Sequence, residues 1–330
     1  MHIRRPISLI LALSLLACPL LSLAEDLYPL ETPAPARLRP EPEPLPDPPE
    51  LLLPRTDPDL FASHRFRLDA KFLHIWFPNI RDCDEAVLMY DGVVWLIDCC
   101  SERYVSAGVD MMRKLGVTEI EKLFNSHPHY DHIDGLKATN EAFPVKQVLF
   151  AANFPADANE TMVKARTYAE EASISVDTFE DGEVFPMGDG AVTLTFYYNE
   201  YDGDPRNMND CSALTLLQYG SRRMLFMADM ERNFGQSNFY PRLQAGLDLD
   251  TDIIKYPHHG NNGMLYSFWK DISPSLAVVT NSSYVKKAGM EFLGYQRVPV
   301  FYTSNRETWI HLYTDGTTWV AEYVPIADYQ

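Results

Sequence analysis

The sequence predicts a single large α/β domain over residues 61–330, and three observations lead to it. Roughly 265 residues follow a proline-rich start, a length that suits one α/β domain with a sizeable core. Short apolar and aromatic runs alternate with helical patterns, one of them stopping at a glycine. Two of the apolar runs lead straight into histidine-rich loops, as strands that deliver a site would. No internal repeat at solenoid spacing appears.

The start of the chain reads as a targeting segment. Arg4 and Arg5 precede an apolar run over 7–17, the length of a signal-peptide core and too short to anchor in a bilayer. Ser22-Leu23-Ala24 offers a small-residue cleavage site, so residues 1–24 are expected to be removed and the protein exported. Leu15-Leu16-Ala17-Cys18 also resembles a lipoprotein processing site, and cutting there would leave a lipidated Cys18 at a cell surface. No transmembrane segment is expected in the mature form. Residues 25–60 hold eleven of the 24 prolines, interleaved with acids as in Glu41-Pro42-Glu43-Pro44. That composition predicts an extended, disordered linker rather than packed structure.

The elements of the domain follow in order. Strands are expected over 68–77, 86–90 and 93–98, with Asp91-Gly92 as the tight turn between the last two. A helix over 104–115 should stop at Gly116, and a strand then leads to Asn125. An exposed helix is predicted over 159–172 and a strand over 192–198. A hairpin over 214–228 turns at Gly220-Ser221 and ends at Asp229. A helix over 231–245 and a strand over 252–256 precede His258-His259-Gly260, and strands over 277–280, 300–303, 309–314 and 319–324 close the domain.

The chemistry is concentrated in Phe124-Asn125-Ser126-His127-Pro128-His129-Tyr130-Asp131-His132-Ile133-Asp134-Gly135. His127 and His129 stand two apart in extended chain, so both can point at one ion. Asp131 and His132 follow where the chain should turn into a helix, and can face a second ion. Imidazole with carboxylate suits zinc, manganese or iron and leaves positions open for water. Asp229, at the end of the run Met224-Leu225-Phe226-Met227-Ala228, sits where a bridging ligand would. Of the adjacent pair His258 and His259, one is expected to bind metal and the other to border the substrate, because neighbouring side chains point apart.

The pattern His-x-His-x-Asp-His-x-x-Gly resembles the signature of the metallo-β-lactamase superfamily, which implies a four-layer αββα sandwich with metals at one edge. The later pieces resemble one branch, the hydrolase domain of the DNA-uptake protein ComEC and its secreted stand-alone relatives, over roughly residues 70–325. That resemblance implies His127, His129, Asp131, His132, Asp229 and His258 as metal ligands of two divalent ions, zinc foremost with manganese as the substitute. It leaves His259 to act on the substrate beside Asp131. No histidine occurs between His132 and His258, so the first ion lacks a third nitrogen and should bind more weakly. Asp210 is the nearest residue to supply an oxygen there, while Asn209 and Ser212 are expected to meet substrate. Ile80-Arg81-Asp82-Cys83-Asp84 and Asp98-Cys99-Cys100 replace the glycines of that branch.

Four cysteines remain after export, Cys83, Cys99, Cys100 and Cys211, and they permit three pairings in an oxidising compartment. Disulfide or free-thiol roles are expected for them rather than metal binding. His64, His74 and His311 read as isolated surface or core histidines, and the acidic loop over 200–204 as solvated. The chain carries 28 basic and 46 acidic side chains, a net charge of −18. Such acidity argues against tight non-specific nucleic-acid binding. The expected activity is hydrolysis of a phosphoester, small or polymeric, by metal-bound hydroxide. Lactone or β-lactam hydrolysis is the second reading, and a metal-retaining surface protein without turnover the third.

Overall fold

The computed structural model describes residues 71–231, 234–261, 266–282 and 290–329. The expected leader over 1–24, the linker over 25–60 and His64 lie outside the described residues. The chain lays down β1 (Leu73–Phe77), β2 (Ala86–Tyr90), β3 (Val93–Ile97), α1 (Val105–Lys114) and β4 (Ile120–Asn125). The short α2 (Tyr130–Ile133) and α3 (Leu136–Ala142) follow, then β5 (Val145–Ala151), α4 (Glu160–Glu171), β6 (Ser175–Phe179), β7 (Val184–Met187) and β8 (Val192–Tyr197). The second half adds β9 (Leu214–Tyr219), β10 (Arg222–Phe226), α5 (Phe234–Gln244), β11 (Ile253–Lys255), α6 (Tyr266–Ile272) and β12 (Leu276–Val279). It ends with α7 (Met290–Tyr295), β13 (Val300–Tyr302), β14 (Thr308–Thr314) and β15 (Trp319–Pro325).

Two mixed sheets result, ordered β15-β14-β1-β2-β3-β4-β5-β6 and β13-β12-β11-β10-β9-β8-β7. Strand β10 shows how they are layered. Met224 and Phe226 enter the main core, with Phe226 6.3 Å from Phe77 of the other sheet. Leu225 points the opposite way, into a separate cluster with Phe239 of α5, Phe268 and Trp269 of α6 and Leu293 of α7. A strand buried on both faces has no reason to alternate, which is why the sequence there is a continuous apolar run. On the outer side of the first sheet, Val105, Val109 and Met112 of α1 and Leu136 of α3 are buried in the main core. The architecture is the αββα sandwich. Among the described residues no helix is long and apolar enough to cross a membrane.

Local chemistry accounts for the elements. Asp91 and Gly92 both take positive φ, 52° and 78°, the two-residue turn whose twist suits a hairpin. Helix α1 ends in a Schellman arrangement: the Val117 N–H reaches Met112 O at 3.0 Å and the Gly116 N–H reaches Arg113 O at 3.1 Å. The Asn159 side chain caps α4 by accepting from Met162 N at 2.8 Å. Strands β6 and β7 escape the sequence reading because they are sheet edges, mostly exposed, and β7 carries Pro186, tolerated only at an edge. The hairpin strand expected to reach Ala228 ends at Phe226, because Ala228 turns out of the sheet with φ 43°.

Two sequence readings gain their partners. His74 and His311, read as surface or satisfied core histidines, meet across β1 and β14 with Nδ1 and Nε2 2.9 Å apart, and His311 Nδ1 lies 2.9 Å from Glu322. Neighbouring strands placed 237 residues apart in sequence bring them together, which no local pattern reveals. Of the four cysteines, Cys83 and Cys100 form a disulfide while Cys99 and Cys211 are free and buried. Burial pushes the Cys99 thiol well up and the Cys211 thiol up to about 12, so neither is a ready thiolate.

Glu85 presents an unusual burden. It is 1% exposed, and neither carboxyl oxygen has a hydrogen-bond partner among the described residues. The carboxyl fits only because α1 passes over it at Gly108, where an added Cβ would stand 2.0 Å from Oε1. Burial raises its pKa from 4.5 to about 8. The unfolded chain therefore releases this proton first, so stability should fall as pH rises from about 4.5 towards about 8 and level off beyond. The slope is at most ~1.4 kcal/mol per pH unit. Glu85→Gln should flatten that dependence. Parallel melting-temperature curves for the two proteins between pH 5 and 8 would refute the assignment.

Candidate metal centre

The site forms where strands end. Asp98 follows β3, Ser126 and His127 follow β4, Asp229 follows β10, His258 and His259 follow β11, and Thr280 follows β12. β3 and β4 are parallel, as are β10, β11 and β12. Their carboxyl ends therefore open at one edge, where loops from both sheets converge. The backbone is strained here: Asp82, Asp98, Cys100, Ala228, His258 and His259 all have positive φ, from 43° to 62°. Non-glycine residues pay for that conformation, and such outliers gather at functional sites.

Gly135, last residue of the histidine motif, is set by contact rather than by φ. A Cβ there would fall 1.9 Å from the Cys99 carbonyl. The same segments are stitched by backbone bonds from Cys99 N to His132 O (2.9 Å), Cys100 N to Asp84 O (2.8 Å) and Asp84 N to Asp131 O (3.1 Å). The Cys83–Cys100 disulfide clamps the two loops that carry Asp84 and Asp98.

Two imidazoles are held from behind by buried carboxylates. His132 Nδ1 donates to Asp98 Oδ2 at 2.7 Å, and Asp98 is itself fixed by Ser126 N, Ser126 Oγ and Asn125 Nδ2 at 2.8–3.1 Å. His259 Nδ1 lies 3.0 Å from Asp84 Oδ1 and 3.0 Å from Thr280 Oγ1. Anchoring Nδ1 in this way turns each Nε2 forward. His132 Nε2 is 3.3 Å from Asp229 Oδ1; His259 Nε2 is 3.4 Å from Asp229 Oδ2 and 3.3 Å from Asp131 Oδ2.

These are ion-pair distances without hydrogen-bond alignment. His132 Nε2, His259 Nε2 and Asp229 Oδ1 are buried atoms with no hydrogen-bond partner among the described residues. Ligand-type atoms of Asp131, His132, Asp229 and His259 all fall within 4.8 Å of one another. A buried group of forward-facing donors that do not satisfy each other fits a divalent cation.

Electrostatics agree. Burial alone would raise the Asp229 carboxyl, yet His259 and His132 hold it well below the usual range. Burial would lower His132 and His259, but Asp229, helped by Asp98 for the first and Asp84 for the second, raises both well above it. His127 and His129 are instead lowered, by burial first and then by His132. The acids thus draw positive charge to His132 and His259, while burial disfavours it on His127 and His129.

The expected residues are distributed as follows. His127 Nε2 stands 3.0 Å from His129 Nδ1 and 4.0 Å from Asp229 Oδ2, and its ring centroid is 4.1 Å from that of His132. Of the adjacent pair His258 and His259, it is the His259 ring that joins the candidate ligand group. His259 is 1% exposed and belongs to the acid–imidazole group. His258 lies 3.8 Å from Asp229 Oδ2, with its Nδ1 3.0 Å from Glu231 Oε1. Both residues have positive φ, 49° and 50°, so the chain bends sharply where the two rings part. Asp210 accepts from Glu231 N at 3.1 Å and Asn209 donates to Glu231 Oε1 at 3.2 Å, so both face Glu231. Ser212 Oγ accepts from Asp229 N at 3.3 Å and so supports the turn that presents Asp229. Asp84, Asp98, Thr280 and Lys255 escape the sequence reading; the only local signal was acids standing where glycines were expected.

Residues 96–203 match the family described as Metallo-beta-lactamase superfamily. The chain carries a metallo-β-lactamase superfamily domain. The matched stretch holds Asp98 and the whole histidine loop and stops short of Asp229 and His259. No curated protein shows a significant match to the chain. Among solved structures, YhfI of Bacillus subtilis, a metallo-β-lactamase fold protein, is 10% identical over 76% of this chain and 100% of its own, with a TM-score of 0.47. A metallo-β-lactamase from Cronobacter sakazakii is 15% identical over 55% of this chain and 75% of its own, TM-score 0.39. GOB-18 from Elizabethkingia meningoseptica is 16% identical over 52% and 69%, TM-score 0.38. Likenesses this distant say nothing about what the metallo-β-lactamase superfamily domain described here acts on.

Proposed function

We propose that the protein is an exported, metal-dependent hydrolase of phosphoesters, of the ComEC-like kind its late motifs resemble. Asp229 carries the proposal. One carboxylate, 1% exposed, turns Oδ1 to His132 and Oδ2 to His259, with His258 and His127 also 3.8 and 4.0 Å from Oδ2. A carboxylate shared between two imidazole groups suits two cations side by side, the arrangement that clamps both the attacking and leaving oxygens of an in-line displacement. Asp131, His132, Asp229 and His259 would hold one ion, and His127 and His129 the other with Asp229. Bound there, zinc or manganese would supply Lewis acidity to a phosphoryl oxygen and lower the pKa of water.

The chain's own residues do the rest. Asp98 and Asp84 hold His132 and His259 in one orientation, so no reorganisation is needed when charge develops. Asp131, half-buried at the start of α2, lies where it can orient a nucleophile beside His259. Export, with cleavage after Ala24 or lipidation at Cys18, follows from the basic-apolar start, and it gives the Cys83–Cys100 bond an oxidising compartment.

The test is turnover of bis(p-nitrophenyl) phosphate by purified protein with added Zn²⁺ or Mn²⁺, alongside a phosphomonoester, a lactone and a β-lactam. Metal-dependent phosphodiester turnover at least tenfold above that of the carbonyl substrates is expected. A preference for the lactone or β-lactam would replace the phosphoester reading. Metal binding without turnover of any would favour a surface binding protein. The N-terminus of protein secreted by its natural host is expected near residue 25 or at Cys18; an intact Met1 would sink the export proposal.

A further inference from the structure

Behind the ligand group lies a second polar layer that already holds one cation. Lys255 ends β11 after two isoleucines and is 2% exposed. Its Nζ donates to Asp84 Oδ2 and, at 3.0 Å, to the Ala228 carbonyl, and stands 3.9 Å from Asp229 Oδ1. Asp84 approaches from the other sheet, out of the loop between β1 and β2. Its second oxygen accepts from Thr280 Oγ1 at 2.6 Å and lies 3.0 Å from His259 Nδ1. The Ala228 carbonyl also accepts the His258 N–H at 2.9 Å. One ammonium therefore touches both deliveries to the site: the carboxylate behind His259, and the strained turn ahead of Asp229.

We propose that Lys255 is a positioning residue of this centre, acting through Asp84 on the His259 ring and through Ala228 on the Asp229 carboxylate. The proposal rests on the hydrolase reading and deepens it. Stability alone does not account for the pair, because a buried ion pair is often no better than well-packed apolar residues of its volume. Here a leucine or methionine in line with Ile253 and Ile254 would serve packing. A fixed charge serves geometry: it holds a carboxylate from one sheet against a strand end of the other, directly under the ring that must not rotate. It also stands nearest Oδ1 of Asp229, whereas His127 and His258 are nearest Oδ2, so it offsets acidic charge at the other oxygen.

The experiment compares wild type with Lys255→Met, Asp84→Asn and the double variant. Readouts are melting temperature, zinc affinity by competition with a chromogenic chelator, and kcat and KM on bis(p-nitrophenyl) phosphate. Lys255→Met should melt lower and bind zinc more weakly, since the buried Oδ2 of Asp84 loses its ammonium partner. The double variant should regain the melting temperature of wild type yet bind zinc ~10–100-fold more weakly, the range typical when the support of a ligand is lost. Its kcat should fall with KM little changed, and Asp84→Asn alone should show the same zinc loss. Wild-type zinc affinity and kcat in either Asp84→Asn or the double variant would overturn the positioning role and leave the hydrolase reading intact. A wild type that neither binds zinc nor turns over the phosphodiester would overturn both.

Discussion

Asp229→Ala should leave a folded protein that no longer retains two ions, with zinc content falling to one equivalent or less. Phosphodiester hydrolysis should fall by more than the ~10–100-fold typical of losing a mere supporting contact, because a direct ligand is removed. The reason is geometric. Among the described residues, Asp229 is the one carboxylate within reach of His132, His259, His258 and His127 together. Folding should survive, since the change removes a buried acid whose main partners are the imidazoles it draws positive charge to. Elemental analysis after gel filtration decides the matter: two retained equivalents would show that Asp229 does not bridge.

His259→Ala and His258→Ala should differ, although the two residues are adjacent. His259 is buried, anchored at Nδ1 by Asp84 and Thr280, with Nε2 among Asp131 and Asp229. Its loss should lower zinc affinity and kcat by at least ~10–100-fold. His258 is a quarter exposed and lies beside Glu231, so its replacement should cost several-fold less in zinc affinity. Equal losses, or a larger loss at His258, would mean that the inward ring is assigned to the wrong residue. Chelator competition on both variants separates the outcomes without reliance on any substrate.

Much of this site is legible in the sequence because ligand spacing is a local property. His127, His129, Asp131 and His132 fall within six positions after an apolar run, and Asp229 and the His258-His259 pair each follow another. Extended chain and helix entry have fixed side-chain directions, so such spacing alone brings atoms to one edge. The layered core is legible for a similar reason: strands covered on both faces carry continuous apolar runs, as Met224-Leu225-Phe226-Met227-Ala228 does. The edge strands β6 and β7 escape, since half-exposed strands carry neither a continuous run nor a strong alternation.

What the tertiary structure alone decides are the contacts between distant segments and the choices that backbone strain makes. Asp84 reaches Lys255 across 171 positions and Thr280 across 196, and Asp98 reaches His132 across 34. Nothing near Asp84 in the sequence announces a partner. Which of two adjacent histidines turns inward is likewise beyond the sequence, since both adopt positive φ, a conformation that propensity disfavours and only the surrounding packing can impose. The disulfide is decided likewise: Cys99 and Cys100 are neighbours, but Cys100, with φ 62°, is the one whose side chain meets Cys83. Sequence by itself determined which histidines and acids follow the strands and in what order, because those depend on residues a few positions apart. The folded structure determined which of their atoms face one another and what holds them there, because those depend on where two sheets bring their ends together.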